Sequence, residues 1–151
     1  MKIKNTLAIL FIFSLSLTKG QTTKKEGFQL NNYFNTSMTQ DQRQAIYKQI
    51  ANYSAKIRQS PEEPANYINR GVCYANMGLY PDAISDYNHA LKIDSLLPEA
   101  YYNRGIARGR FRYTKSACID IYRAYKLGLT QAKDLFDNKC GMYQTTLAIK
   151  D

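Results

Sequence analysis

Side chains that could perform catalysis or hold a metal ion are few in this chain. His89 is the only histidine, and the three cysteines, Cys73, Cys118 and Cys140, form none of the close pairs typical of a zinc site. The sequence also contains neither a glycine-rich phosphate loop nor the Gly-x-Ser-x-Gly motif of a nucleophilic serine. We therefore expect a non-enzymatic protein without cofactor or metal, with His89 as a surface residue.

Two arginine–aspartate combinations recur along the chain with the same separation. They are Arg70 with Asp86 and Arg104 with Asp120. The favoured interpretation is an ion pair or hydrogen bond that joins two neighbouring helices in each case. The alternative is that these charged groups bind a partner.

A cluster of cations lies in the second half of the chain. Its members are Arg104, Arg108, Arg110, Arg112 and Lys115. They form either a solvated face, partly paired with Asp86 and Asp120, or a positive patch for an acidic peptide, a glycan or a phosphate group. Nucleic acid is not expected as a partner, because the basic charge is not spread over a long face.

Proline, glycine and the apolar period predict the helices that position these side chains. Pro64 and Pro98 predict helix starts, since proline is favoured in the first turn, and Gly78 and Gly128 predict helix ends. No strand-like alternation competes with helical periodicity, so we expect an all-α protein. The predicted helices cover residues 40–58, 64–77, 81–93, 98–111, 115–127 and 131–139.

Residues 64–97 and 98–131 can be superimposed with a constant offset of 34 residues. The matched pairs are Tyr67 with Tyr101, Asn69 with Asn103, Arg70 with Arg104, Gly71 with Gly105, Ala83 with Ala117, Asp86 with Asp120, and Ala90 with Ala124. A fixed period of this length is typical of stacked helical units, none of which buries its apolar face alone.

The first of these stretches resembles the tetratricopeptide-repeat (TPR) family, whose pattern is counted from the proline. It carries the aromatic, glycine and alanine residues of that pattern at all six positions: Tyr67, Gly71, Tyr74, Ala83, Tyr87 and Ala90. The second stretch departs from the pattern at Arg108 and Ile121. The resemblance implies an α-solenoid of about two full repeats with flanking N- and C-terminal helices, and a protein-binding function.

The resemblance also implies a concave groove, lined by one face of the first helix of each repeat, in which extended peptides bind. A helical wheel places five positions of each first helix on this face, which we call the groove face. Its predicted members are Ala65, Ile68, Val72, Ala75, Asn76, Glu99, Tyr102, Ile106, Gly109 and Arg110. Alternatively, Leu147, Ala148 and Ile149 of the tail, or the N-terminal leader, cover this face.

Some family members hold the terminal carboxylate of a peptide with a lysine and an asparagine of one repeat. The corresponding positions of the first repeat carry Ile68 and Val72, and only Asn103 in the second resembles part of such a clamp. This mode of binding is therefore not expected here.

The first twenty residues have the layout of an export signal. Lys2 and Lys4 precede an apolar run at 7–17, which is too short to span a bilayer, and the small Gly20 offers a cleavage point. We expect residues 1–20 to be removed, which lowers the formal net charge from +9 to +6 and leaves 131 residues. The alternative is an uncleaved anchor. The mature protein would lie in the periplasm or cell envelope, or be secreted, with no transmembrane segment.

The remaining chain divides into a flexible leader (21–39), a TPR domain (40–140) and a tail (141–151).

The spacing of two cysteines predicts a disulfide. If the helices at 115–127 and 131–139 fold back on each other about Leu129, residues equidistant from Leu129 lie side by side at the same height along the two helices. Cys118 and Cys140 are each eleven residues from it. The sequence therefore predicts a disulfide between these two cysteines, with Cys73 as a buried thiol.

These observations together predict an exported all-α adaptor that binds a protein or peptide segment non-covalently in its groove. The alternative is a basic module that binds anionic glycan or phosphate groups through residues 104–115.

Overall fold

The computed structural model of the protein describes residues 38–148, and all regular structure within this range is helical. The helices are α1 (Gln40–Gln59), α2 (Pro64–Asn76), α3 (Tyr80–Ile93), α4 (Pro98–Arg108), α5 (Lys115–Lys126), α6 (Gln131–Lys139) and α7 (Gln144–Ala148), with a 3-10 turn at Gly141–Tyr143. The predicted all-α class is confirmed. The predicted export signal and almost all of the leader lie outside the described residues.

Local sequence explains where the helices begin and end. Thr39 caps α1 through a reciprocal pair of hydrogen bonds with Gln42, in which each side chain accepts from the other residue's backbone N–H. α2 and α4 begin at the two predicted prolines. Gly78 and Gly128 have φ angles of 76° and 99°, which favour glycine and allow the chain to turn after α2 and α5.

The predicted end of α4 at residue 111 is wrong, because α4 ends at Arg108. After it, the chain turns so that the ring of Tyr113 packs on the backbone of Gly109, where an added Cβ would lie 2.7 Å from Tyr113 Cε1. The loop at 109–114 therefore begins three residues earlier than predicted. The other five predicted helices agree with the structure to within one residue at each end.

Two helical hairpins, α2–α3 and α4–α5, form the centre of the array, and small residues bring their helices close together. The ring of Tyr87 packs on Gly71, and the side chain of Ile121 packs on Gly105 at the equivalent position of the second hairpin. Ile121 is fully buried, so an aliphatic side chain fills the position at which the family pattern has an aromatic ring.

Helix α1 packs on α2 in the same register in which α3 packs on α4. Arg70 Nη1 donates to Ser54 Oγ at 3.0 Å, and Arg104 Nη1 donates to Asn88 Oδ1 at 2.7 Å. In both cases the arginine of a first helix contacts the preceding helix sixteen residues earlier. Helix α1 therefore occupies the place of a second helix that precedes the first hairpin.

The positions of α1 that correspond to buried alanines of α3 lie on a polar side of the helix. Where α3 has the buried Ala83 and Ala90, α1 has the exposed Lys56 and the exposed Gln49, whose Oε1 accepts a hydrogen bond from Cys73 Sγ of α2. No residue of α1 is buried. Polar residues on this side suit a helix that closes one end of the array, as terminal units of helical repeats do.

Helix α6 closes the other end of the array. Ala132, Phe136 and Cys140 form a buried stripe that packs with α5, and Cys140 is joined to Cys118 in a disulfide with an S–S distance of 2.00 Å. This is the pair that the fold-back argument selects. Cys73 is a buried free thiol whose pKa is raised by desolvation.

Candidate functional site

The recurring arginine–aspartate combinations are bidentate ion pairs within the hairpins. Arg70 donates from Nε and Nη2 to Asp86 at 2.8 and 2.7 Å, and Arg104 donates in the same way to Asp120 at 2.9 and 2.7 Å. Both aspartates are almost fully buried. The hydrogen bond with Asp86 also raises the pKa of Arg70. These contacts match the structural interpretation rather than the partner-binding one.

The cation cluster is divided among different contacts. Arg108 Nη1 donates to Asp120 at 2.7 Å, so this buried carboxylate binds both Arg104 and Arg108. Arg110 Nε donates at 2.6 Å to the hydroxyl oxygen of Tyr80. The two other members, Arg112 and Lys115, are exposed. The five cations therefore do not form one uniform patch for an anion.

The predicted groove face is only partly open. The buried core contains one apolar cluster around Tyr87 and a larger one around Ile121. Ile68 packs against both clusters, Val72 and Ala75 pack against the first, and Tyr102 packs against the second. Among the apolar members with long side chains, Ile106 is the most open, at 37% exposure. The exposed members of the face are Ala65, Asn76, Glu99, Ile106 and Arg110.

Two predicted members of the groove face lie beyond the end of α4. Gly109 is its C-cap, and Arg110 follows in the loop, so the helical wheel does not apply to either. Gly109 is buried under Tyr113, and the guanidinium group of Arg110 lies 5.8 Å from the centre of the Tyr80 ring. The placement of Arg110 on the helical face was therefore wrong, because α4 ends earlier than predicted.

The start of the tail contacts the closing helix. Gln144 Nε2 donates to Asp137 Oδ1 at 3.2 Å, which holds the first residue of α7 against α6. Ile149 and the side chains of Leu147 and Ala148, which were predicted as a possible cover for the groove face, lie outside the described residues.

A cleft that the sequence analysis did not predict lies at the edge of the array, near the turn between α2 and α3 and the loop between α4 and α5. It is a cleft of about 470 Å³ between the start of α3, the end of α4 and the loop at 109–114. We call it the Phe111 cleft, and it is lined by Gly78, Tyr80, Pro81, Ile84, Ala107, Arg108, Phe111, Thr114 and Ser116. In the sequence, the only indication of this cleft is Phe111, an apolar residue between two arginines. The predicted α4 included Phe111 as its last residue, so the sequence analysis did not identify it as an exposed loop residue.

The described residues give no sign of metal binding or membrane insertion. Among residues 38–148, no group of three or more histidine, cysteine or acidic side chains is arranged to hold a metal ion. No helix in that range is long and apolar enough to cross a bilayer.

Comparisons with known proteins identify the repeat. Residues 65–95 match the sequence model of the tetratricopeptide repeat. The chain is 24% identical over 117 residues to the Hsp70-Hsp90 organizing protein of Triticum aestivum and 24% identical over 98 residues to Hsp70-Hsp90 organizing protein 3 of Arabidopsis thaliana. These alignments cover 72% and 59% of this chain, but the chain spans only 20% and 17% of the lengths of these relatives.

The fold also matches a solved structure, the first TPR of Spaghetti (RPAP3) bound to the HSP90 peptide SRMEEVD. The TM-score is 0.59 at 22% sequence identity, and the match covers 69% of this chain and 89% of the other. The helix order, the hairpin packing and the matched segment lead to the same conclusion. Residues 65–95 match the tetratricopeptide-repeat model, and the described part of the chain has the fold of a tetratricopeptide-repeat array.

Proposed function

We propose that this protein is a non-enzymatic scaffold that binds a segment of a partner protein along the groove face. The observation that carries the proposal is the apolar character of this face at two equivalent positions of each hairpin: Ile68 and Val72 in α2, and Tyr102 and Ile106 in α4. The recurring buried charges, in contrast, are paired within the hairpins. A TPR array that binds a peptide in a solved structure supports a similar use of the fold here.

The groove face favours a partner segment with apolar side chains. Ile68 and Val72 offer no cation and no amide group at the two places where a lysine and an asparagine would hold a terminal carboxylate. A segment bound there would gain most of its affinity from apolar contact with Tyr102 and Ile106. We therefore propose an internal, partly apolar segment as the ligand, rather than a free acidic C-terminus.

The first test is the loss of partner binding in groove-face variants. A partner captured from the native host would be purified, and its affinity for Tyr102→Ala and Ile106→Ala measured by titration calorimetry. Removal of either side chain is expected to weaken binding about tenfold, or about 1.4 kcal/mol. The melting temperature of Ile106→Ala should change little, because this side chain is partly exposed.

A matched control is Leu96→Ala, which removes another exposed apolar side chain at a site between α3 and α4. Its affinity should equal that of the unmodified protein. Unchanged affinity in both groove-face variants would refute the proposed site. Loss of binding at high salt in the same experiment would instead favour an anionic ligand held by the cation cluster.

We also propose that the protein is exported to the cell envelope or beyond. The charge and apolar pattern of residues 1–20 supports this proposal, and so does the close approach of Cys118 and Cys140, since disulfides persist in oxidising compartments. Mass spectrometry of the protein from its native host is expected to find an N-terminus at Gln21. Recovery of a cytosolic form that retains residues 1–20 would contradict export.

A further inference from the structure

We propose that the Phe111 cleft is a second docking site, for a partner segment in which an apolar side chain lies next to carboxylates. This proposal goes beyond the groove face, because no member of the groove face lines the cleft. The cleft lies between the two hairpins, and a partner bound there would contact α3 of the first and α4 of the second. The two surfaces could therefore hold two different segments.

The walls of the cleft are largely apolar. Tyr80, Pro81 and Ile84 of α3 lie on one side, and Ala107 and Phe111 lie on the other. Phe111 is 92% exposed, with its ring packed edge-on against Tyr80 at a centroid distance of 6.4 Å. An aromatic side chain that remains this open to water beside an apolar cleft is typical of an interaction site. The volume is within the range of about 300–1,000 Å³ common for binding pockets.

Contacts within the protein hold the loop at the cleft. Arg110 Nε donates to the hydroxyl oxygen of Tyr80 at 2.6 Å, which joins the loop to α3 thirty residues earlier. Tyr113 packs on Gly109, and Arg108 is held by Asp120. A surface formed in advance loses less conformational entropy when a ligand binds, which favours affinity.

The residues around the cleft carry an excess of positive charge, which favours a partner segment with negative charge. The two segments that form it, 78–84 and 107–116, contain four cations and one acidic residue, Asp82. Arg108 is paired with the buried Asp120, whereas Arg112 and Lys115 are exposed. In a segment with carboxylates beside an apolar side chain, the carboxylates would pair with these exposed cations and the apolar side chain would contact the walls of the cleft. A basic segment would be repelled by the same cations.

The proposal is tested with a synthetic peptide that has a central leucine–phenylalanine pair between two pairs of glutamates. The chain contains no tryptophan, so Phe111→Trp introduces a single tryptophan at the cleft, which can be excited selectively over the tyrosines. We expect its emission to shift to shorter wavelength when the peptide binds. With a fluorescein-labelled peptide, Phe111→Ala is expected to lower the affinity at least about tenfold relative to the unmodified protein.

Two matched variants separate this site from other surfaces. Leu96→Ala, which also removes an exposed apolar side chain, and Ile106→Ala on the groove face should both keep full affinity for the peptide. A peptide with alanines in place of the leucine–phenylalanine pair should bind at least about tenfold more weakly, because its carboxylates alone do not fill the cleft.

Several outcomes would overturn the proposal. They are equal affinity of Phe111→Ala and the unmodified protein, equal binding of the alanine peptide, or no binding of the original peptide at millimolar concentration. Loss of affinity in Ile106→Ala alone would place the peptide on the groove face and leave the proposed function intact. Loss in Phe111→Ala alone would support the cleft, whatever the outcome of the groove-face test.

Discussion

Replacement of Asp120 by alanine is expected to lower the free energy of unfolding by about 3 kcal/mol or more. Asp120 is 2% exposed and accepts hydrogen bonds from both Arg104 and Arg108. Without the carboxylate, two partly buried guanidinium groups would lose their counter-charge, and the hairpin of α4 and α5 would lose its main polar contact. Urea denaturation followed by circular dichroism would measure the change.

Two other aspartates provide a graded comparison. Asp86 binds the single arginine Arg70, so Asp86→Ala should cost less, about 2 kcal/mol. Asp137 makes only exposed contacts among the described residues, with Lys133 and Gln144, so Asp137→Ala should cost less than about 1 kcal/mol. If Asp120→Ala were no more destabilising than Asp137→Ala, the buried ion pairs would not stabilise this fold.

Removal of the disulfide is expected to have a comparably large effect. The Cys118–Cys140 bond closes a loop with a sequence separation of 22, which on the chain-entropy model stabilises the fold by about 3 kcal/mol. The double variant Cys118→Ala with Cys140→Ala should therefore melt at a lower temperature. Helix α6 should show the greatest increase in amide hydrogen exchange, because its remaining contacts with the core are those of a short helix with few apolar side chains.

The third cysteine provides the control for this experiment. Cys73 is a free thiol, so Cys73→Ala should leave the response to reducing agent unchanged. Thiol titration in denaturant should find one free thiol in protein from an oxidising compartment and three after reduction. Three free thiols before reduction would contradict the disulfide and would also weaken the case for export.

Much of the fold could be predicted from the sequence because it depends on local signals. Pro64 and Pro98 begin α2 and α4, and Gly78 and Gly128 follow the ends of α2 and α5, since the backbone preferences of these residues act within one turn. The offset of 34 residues repeats the same apolar pattern and therefore predicts two equivalent hairpins. Even the pairing of Cys118 with Cys140 followed from helix lengths and the position of one turn.

The functional surfaces depend on loop contacts that the apolar period of the sequence does not describe. α4 ends at Arg108, Tyr113 packs on Gly109 just beyond it, and Phe111 is left exposed in the loop. In the same loop, Arg110 donates to Tyr80 of α3, thirty residues earlier in the chain. A helical wheel contains no information about such packing, because it assumes that the helix continues.

The sequence by itself therefore determined the all-helical repeat, its register and the two-hairpin plan, since these follow from backbone preferences and an apolar period. Only the tertiary structure decided which charges remain available to a partner. Asp120 accepts from both Arg104 and Arg108, whereas Arg112 remains exposed, although all three cations belong to one short basic stretch. The physical reason is that an ion pair forms where the folded backbone brings two groups within a few ångströms, and charge alone does not specify that place.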